Sequence, residues 1–267
     1  MLLLFVTSCT DYDLRAKEKE RAAPDPEDTG EPEVDDSAAE EDTGDTAHGE
    51  DTVDPPDDTA PVATESVYLN TADTLYSYDP ITNVATRIGT FGVSEDITDI
   101  AIDLNGSMYG CSFSTLYSIN PVTARAARIA AVADDLVGLT FVSDGRLVGA
   151  GGLVSFVDTG TGRLTTLVSS GQYTTSGDII GLPDGQLYWT VQGGDQLIRI
   201  DPNSGDTTRM GNINVSSIFA LGYANGDLYG FTSAGRRVVI DETNGRATDN
   251  DALGGVWWGA TTNPVLW

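Results

Sequence analysis

The stretch "NGSMYGCSFSTLYSINPVT" fills residues 105–123, and "NGDLYGFTSAGRRVVIDETNG" repeats its phrasing at residues 225–245. Each opens on a Gly-containing turn, passes through two short apolar runs and ends in an Asn- or Asp-led turn. The turn glycine recurs at Gly106, Gly145, Gly185 and Gly226, at spacings of 39, 40 and 41 residues. The second run recurs as "LYSINP" at 116, "LVSFVD" at 153, "LIRIDP" at 197 and "RVVIDE" at 237, with an extra copy, "LYSYDPIT", at 75. Self-similarity at a fixed period near forty residues signals a repeat architecture.

Each unit reads as four short strands. In one unit they are "DIAID", "SMYGCS", "LYSIN" and "AARIAAV". Asn-Gly or Asp-Gly between the first two supplies the positive φ of a tight hairpin. Segments such as "NPVTA" and "DPNSG" join the last two, Pro presetting φ and Asp or Asn capping its own turn. No stretch of ten residues shows a helical period, so the chain is all-β. Repeated four-stranded units of this length predict a β-propeller. Its last blade would be split. "VWWGATTNP" reads as a first strand with no successors, with Trp257 aligned to Asp99, while "SVYLN", "LYSYD" and "ATRIGTF" are three strands without a first. One C-terminal strand plus three N-terminal strands then closes a ring of five blades.

The blades resemble those of secreted bacterial propellers whose repeats run "Asn/Asp-Gly-x-Leu-Tyr … Leu-Tyr-x-Ile-Asp-Pro-x-Thr-Gly", a loose group with quinoprotein-like and NHL-like members. The resemblance covers residues 66–263, rests on turn chemistry and implies a fold, not an activity. The Trp-bearing repeat of quinone-dependent dehydrogenases is absent, so no quinone is expected.

The first sixty residues are of another kind. From Thr10 to Ala60 there are 20 acidic and 4 basic residues, with recurrent Pro, Thr and Gly and almost no large apolar side chains. Such a segment cannot bury enough surface to offset its ordering entropy, and its charges repel. It reads as a disordered acidic tether. Ahead of it, "MLLLFVTSC" is too short to span a bilayer and resembles the end of a bacterial lipoprotein signal peptide, although nothing basic precedes Cys9. The resemblance implies lipidation of Cys9 and a place in the cell envelope. With Thr10 next, and not aspartate, it favours the outer membrane over the inner. The domains expected are a signal peptide at 1–8, the tether at 9–64 and the propeller at 65–267.

Residues 61–267 contain 21 acidic and 10 basic residues and no lysine, which excludes a nucleic-acid footprint. His48, the one histidine, lies in the tether, so neither a His-based catalytic pair nor a His zinc site can be built. Cys111 reads as a small buried hydrophobe.

Propeller function concentrates on the face carrying the loops from fourth strand to next first strand and from second to third. Glu95, Asp96, Asp99, Asp134, Asp135, Asp178, Asp195 and Trp257 map there, as a candidate ligand-binding face. Asp99 and Asp178 begin equivalent first strands, as a carboxylate pair for glycoside cleavage would require. Asp96, Asp99, Asp134 and Asp135 are the oxygen-rich set for calcium, the one cofactor considered. Trp257 suits packing at the closing strand better than stacking on a sugar. The blades carry no inserted loops, so the reading is a monomeric, non-catalytic binding platform anchored to the membrane, with a glycan or an envelope protein as partner. The alternatives are a small glycoside-acting enzyme or a structural subunit of an envelope complex.

Overall fold

A computed structural model describes residues 61–169, 172–192 and 195–267. The Cys9, His48 and tether readings lie outside the described residues. Within them stand five four-stranded antiparallel sheets. Strands β1 (Val67–Asn70), β2 (Thr74–Asp79) and β3 (Val84–Thr90) begin blade 1; β4 (Asp99–Ile102), β5 (Met108–Cys111), β6 (Thr115–Ile119) and β7 (Ala126–Ala131) form blade 2. Blade 3 holds β8 (Gly138–Phe141), β9 (Leu147–Ala150), β10 (Val154–Val157) and β11 (Leu164–Val168). Blade 4 holds β12 (Thr175–Gly181), β13 (Leu187–Val191), β14 (Gln196–Ile200) and β15 (Thr207–Asn212). Blade 5 holds β16 (Ile218–Ala224), β17 (Asp227–Thr232), β18 (Arg236–Ile240) and β19 (Ala247–Ala252), and β20 (Gly259–Thr262) returns to complete blade 1 in the order β20-β1-β2-β3.

The ring closes: β20 touches β4, β4 touches β8, β8 touches β12, β12 touches β16 and β16 touches β20. Tyr68 pairs with Thr261 in the shared sheet. Closure is reinforced by Asn263, whose Nδ2 donates to Ala63 O across 200 residues of sequence. Ala63 is thus already tied into the domain, just ahead of the boundary expected at residue 65.

One detail of the closing strand differs from expectation. Asp99 faces Cys111 across its sheet, and Gly259 occupies the same position opposite Asn70. The counterpart of Asp99 is therefore Gly259 and not Trp257, which precedes the strand by two residues. Elsewhere a covalent hairpin fixes the count between first and second strands; here none joins β20 to β1, so the turn residues gave no reference.

The apolar side chains form five wedges, one between each pair of neighbouring blades. The inner strands β4, β8 and β20 are buried at every position, while the outer strands β3 and β7 are half-exposed throughout. A fully buried side chain such as Phe91, between blades 1 and 2, contributes on the order of 2–3 kcal/mol.

The third-to-fourth-strand hairpins join the wedges at the rim. Asn83, Ala124, Gly162, Gly205 and Gly245 all adopt positive φ there. Each turn is capped by its leading residue; Asp158 Oδ1, for example, accepts from Gly160 N at 3.1 Å and Thr161 N at 2.8 Å. The left-handed residue then packs against the previous blade's fourth strand: Gly162 against Ala131 and Gly205 against Leu167. Asn83 Nδ2 makes the corresponding link to Ala252 O at 3.1 Å.

Candidate functional site

The strand nearest the axis is an edge strand, because its inner side has no fifth strand to pair with. Its peptide N–H groups would be buried without acceptors, which is costly. Asp99 and Asp178 answer this in the same way. Asp99 Oδ1 accepts from Ile100 N at 2.8 Å, and Oδ2 reaches Leu139 N of blade 3 at 2.5 Å. Asp178 Oδ1 accepts from Ile179 N at 2.6 Å, and Oδ2 reaches Leu221 N of blade 5 at 2.5 Å. Each carboxyl group therefore bonds its own blade to the next. Thr140 Oγ1 makes an analogous bridge, accepting from Gly181 N at 2.9 Å.

Register places Asp99, Gly138, Asp178, Ala220 and Gly259 at one level, the last opposite Asn70. Only two of the five blades bring a large side chain to this level. The small residues are needed: a Cβ on Gly259 would collide with Asp99 Oδ1 and Asn70 Oδ1. Asp99 and Asp178, from blades 2 and 4, come within side-chain hydrogen-bonding reach of each other. Both are 0% exposed. Burial, reinforced by the Asp178 charge, holds the Asp99 carboxyl well above the ordinary carboxylate range.

Asn70 lies at the same depth and was not picked out from sequence. Its Nδ2 donates to Ile97 O at 2.9 Å and Thr71 O at 3.0 Å, while its buried Oδ1 has no hydrogen-bond partner. A sequence signal existed. Asn70 ends a second strand where its counterparts are Cys111, Ala150, Thr190 and Phe231, so a buried amide is out of pattern.

The remaining candidates stand apart from this pair. Glu95 is exposed in the loop before β4 and accepts from Ser112 Oγ and, at 3.3 Å, Thr115 Oγ1. Ser112, then Thr115, Tyr117 and the Arg128 charge, hold its carboxyl below the ordinary range against the opposing effect of burial. Asp134 does the same work one blade on, accepting from Asp135 N, Gly152 N and Leu153 N at 2.9, 3.4 and 3.2 Å. Asp96 is half-buried and Asp135 exposed. Asp195 holds positive φ, and its carbonyl accepts from Ile213 N at 2.8 Å. Trp257 is 3% exposed and packs edge-on to Tyr76, ring centroids 5.2 Å apart, in the wedge between blades 5 and 1. Among the described residues, no three His, Cys, Asp or Glu side chains converge as a metal-ligand group. Cys111 is buried and forms no disulfide among the described residues.

A groove of about 410 Å³ opens between blades 3 and 4. Tyr173 and Trp189 meet there edge to face, centroids 6.3 Å apart, with Ser169, Gln172, Ser204 and Asp206 on the rim. Among the described residues its lining includes a single carboxylate, Asp206.

These features belong to a fold with many known examples. No family model and no curated protein matches the sequence. Solved structures do. A symmetrical protein described for its de novo evolutionary emergence aligns over 75% of this chain and 99% of its own, at 17% identity and a TM-score of 0.54. A chain of a nidogen/laminin complex aligns over 75% of this chain and 86% of its own, at 12% identity and a TM-score of 0.55. A protein of unknown function from Bacteroides thetaiotaomicron VPI-5482 aligns over 73% and 59%, at 13% identity and a TM-score of 0.51. The likeness is one of fold alone. Among the described residues no helix is long and apolar enough to cross a membrane.

Proposed function

We propose that this chain is a non-catalytic binding platform of the bacterial cell envelope, lipidated at Cys9, most fittingly in the outer membrane, and held off the bilayer by its acidic segment. The observation that carries the non-catalytic reading is the state of the carboxyl groups. Glycoside cleavage needs two carboxyl groups flanking a bound sugar. Among the described residues, the converging pair, Asp99 and Asp178, is sealed from solvent with each oxygen bonded to a peptide N–H. Among the described residues, the open groove beside Tyr173 has one carboxylate in its lining and no second. An aromatic ring with hydroxyl and amide groups around it suits a glycan or a polar peptide segment of an envelope protein.

The test is binding and turnover measured together. Purified full chain is titrated by calorimetry against a panel of envelope polysaccharides and scored for reducing ends. Saturable binding that Tyr173→Ala weakens at least tenfold, without new reducing ends, supports the platform. Hydrolysis by the native chain would replace it with the enzyme reading. Anchoring is tested separately by Cys9→Ala, expected to move the protein from the membrane fraction to the soluble one.

A further inference from the structure

We propose that the face of the ring carrying the first-to-second-strand hairpins docks a basic, amphipathic peptide segment of a partner protein, with a lysine or arginine side chain entering the groove lined by Tyr223 and Trp267. The site is independent of the groove beside Tyr173 and of anchoring at Cys9.

The first-to-second-strand hairpins and the turn after β20 share one end of the inner strands, opposite the fourth-to-first-strand loops. A groove of about 340 Å³ opens there, lined in part by Pro183, Tyr223, Asn225, Leu266 and Trp267. It falls at the small end of ligand-sized clefts. Trp267, Leu266 and Val265 are exposed, and Val62 and Leu104 extend the apolar surface. These side chains are neighbours. Val265 N donates to Asn263 Oδ1 at 3.1 Å, and Asn263 Nδ2 to Ala63 O at 3.1 Å. Val62 packs on Gly106, in the hairpin that carries Leu104. Among the described residues, five of the eight exposed large hydrophobics thus gather on this face. Scattered single apolar residues are normal on a surface, whereas a gathered set marks a contact site.

Charge selects the occupant. Among the described residues the groove has no basic side chain in its lining. Asp184 and Asp227 stand at its edge, next in the chain to the lining residues Pro183 and Gly226, and Asp227 pairs with Ala224, also in the lining. Both are exposed. Each accepts from a neutral hydroxyl, Asp184 Oδ2 from Tyr188 at 2.9 Å and Asp227 Oδ2 from Tyr229 at 3.4 Å, so hydrogen bonding leaves both charges in place. Their field reaches the groove: burial, then the charges of Glu242, Asp184 and Asp227, raise the Tyr223 hydroxyl above its ordinary range. Arg199, opposite Tyr188 in register, offsets at most one of these three charges. An anionic surface is therefore repelled, and so is a second copy of this chain at a net charge of −27. A lysine or arginine has the right sign and shape. Its methylene stem would cover Leu266 while its charge meets two aromatic rings and the carboxylates at the edge. Apolar residues beside it in the partner segment would lie on Val265, Val62 and Leu104.

Trp267 supplies the readout. It is 44% exposed, whereas Trp189, Trp257 and Trp258 are 3%, 3% and 6% exposed, so acrylamide quenching reports on Trp267. The full chain is titrated with a synthetic peptide of alternating lysine and leucine. Binding should cut the quenching constant about twofold or more, and a peptide with glutamate in place of lysine should not protect. Asp184→Asn with Asp227→Asn should raise the peptide concentration needed for protection about tenfold. Asparagine keeps the oxygen that accepts from Gln186 N at 2.9 Å, and Asp206→Asn, in the other groove, should change nothing. Peptide that binds but leaves Trp267 quenched would sit elsewhere on this acidic chain and overturn the proposal. So would equal protection by the glutamate peptide, or an equal loss in Asp206→Asn. If the double variant does not fold, salt decides with the native chain. Protection should vanish by about 0.5 M NaCl, where exposed charges are largely screened, and protection that persists overturns the proposal.

Discussion

Aspartate is used in opposite ways at the axis and at the rim. At the rim, Asp79 and Asp158 are exposed and Asp241 is half-buried; all three cap their own turns, and the Thr82, Thr161 and Thr243 hydroxyls with nearby peptide N–H groups hold their carboxyls below the ordinary range. At the axis, Asp99 and Asp178 also accept peptide N–H bonds, but burial and mutual repulsion override them, and the Asp99 carboxyl is raised. Hydrogen bonding is common to both sites. Solvent access decides the sign.

The largest expected effect that tests this contrast is Asp178→Ala. It strands the peptide N–H groups of Ile179 and Leu221 in the interior and should cost about 3–5 kcal/mol in urea unfolding. A cost under about 1 kcal/mol would mean that water reaches the axis. Gly259→Ala comes next, at about 1–3 kcal/mol, because its methyl group meets Asp99 and Asn70. The pH response follows. Asp99 is raised on folding, so its contribution is full below the ordinary carboxylate pKa and declines as pH rises through the folded value. Tm should therefore fall as pH rises above the ordinary carboxylate range, and Asp99→Asn should flatten that decline. The rim carboxyls are lowered, so their contribution is present above the ordinary value and is lost as pH falls. Asp241→Ala should remove a small part of the stability lost on acidification and leave the decline due to Asp99 untouched. The smallest effect is expected from Glu95→Gln, which weakens only an exposed loop contact and should lower Tm by about 1 °C or less.

The rim was far more legible in the sequence than the axis. Turn residues act locally, so "DPNSG" and "NPVTA" announced their hairpins and the blade period directly. Even there the detail varied. Asn225 and Gly226 both take positive φ, whereas in the loop at 103–107 only Gly106 does, because Asp103 Oδ1 caps Asn105 N and Ser107 N. The equivalence of Asp99 and Asp178 was also visible from spacing. Their burial and their contact were not, since these arise only when five separate sheets meet. Asn70 was missed for the same reason. Its orphaned oxygen is defined by Gly259, nearly two hundred residues away and set in register by a pairing that no turn announces.

The seam between β20 and β1 also governs the order of assembly. Strands β1 to β3 emerge first from the ribosome, yet the inner edge of β1 stays unpaired until Gly259–Thr262 has been synthesised. Such late, distant pairing slows folding and leaves a sticky edge on every incomplete chain. A nascent or prematurely terminated product would therefore be the aggregation-prone form, and a circular permutant that begins at β20 and links it directly to β1 should fold faster.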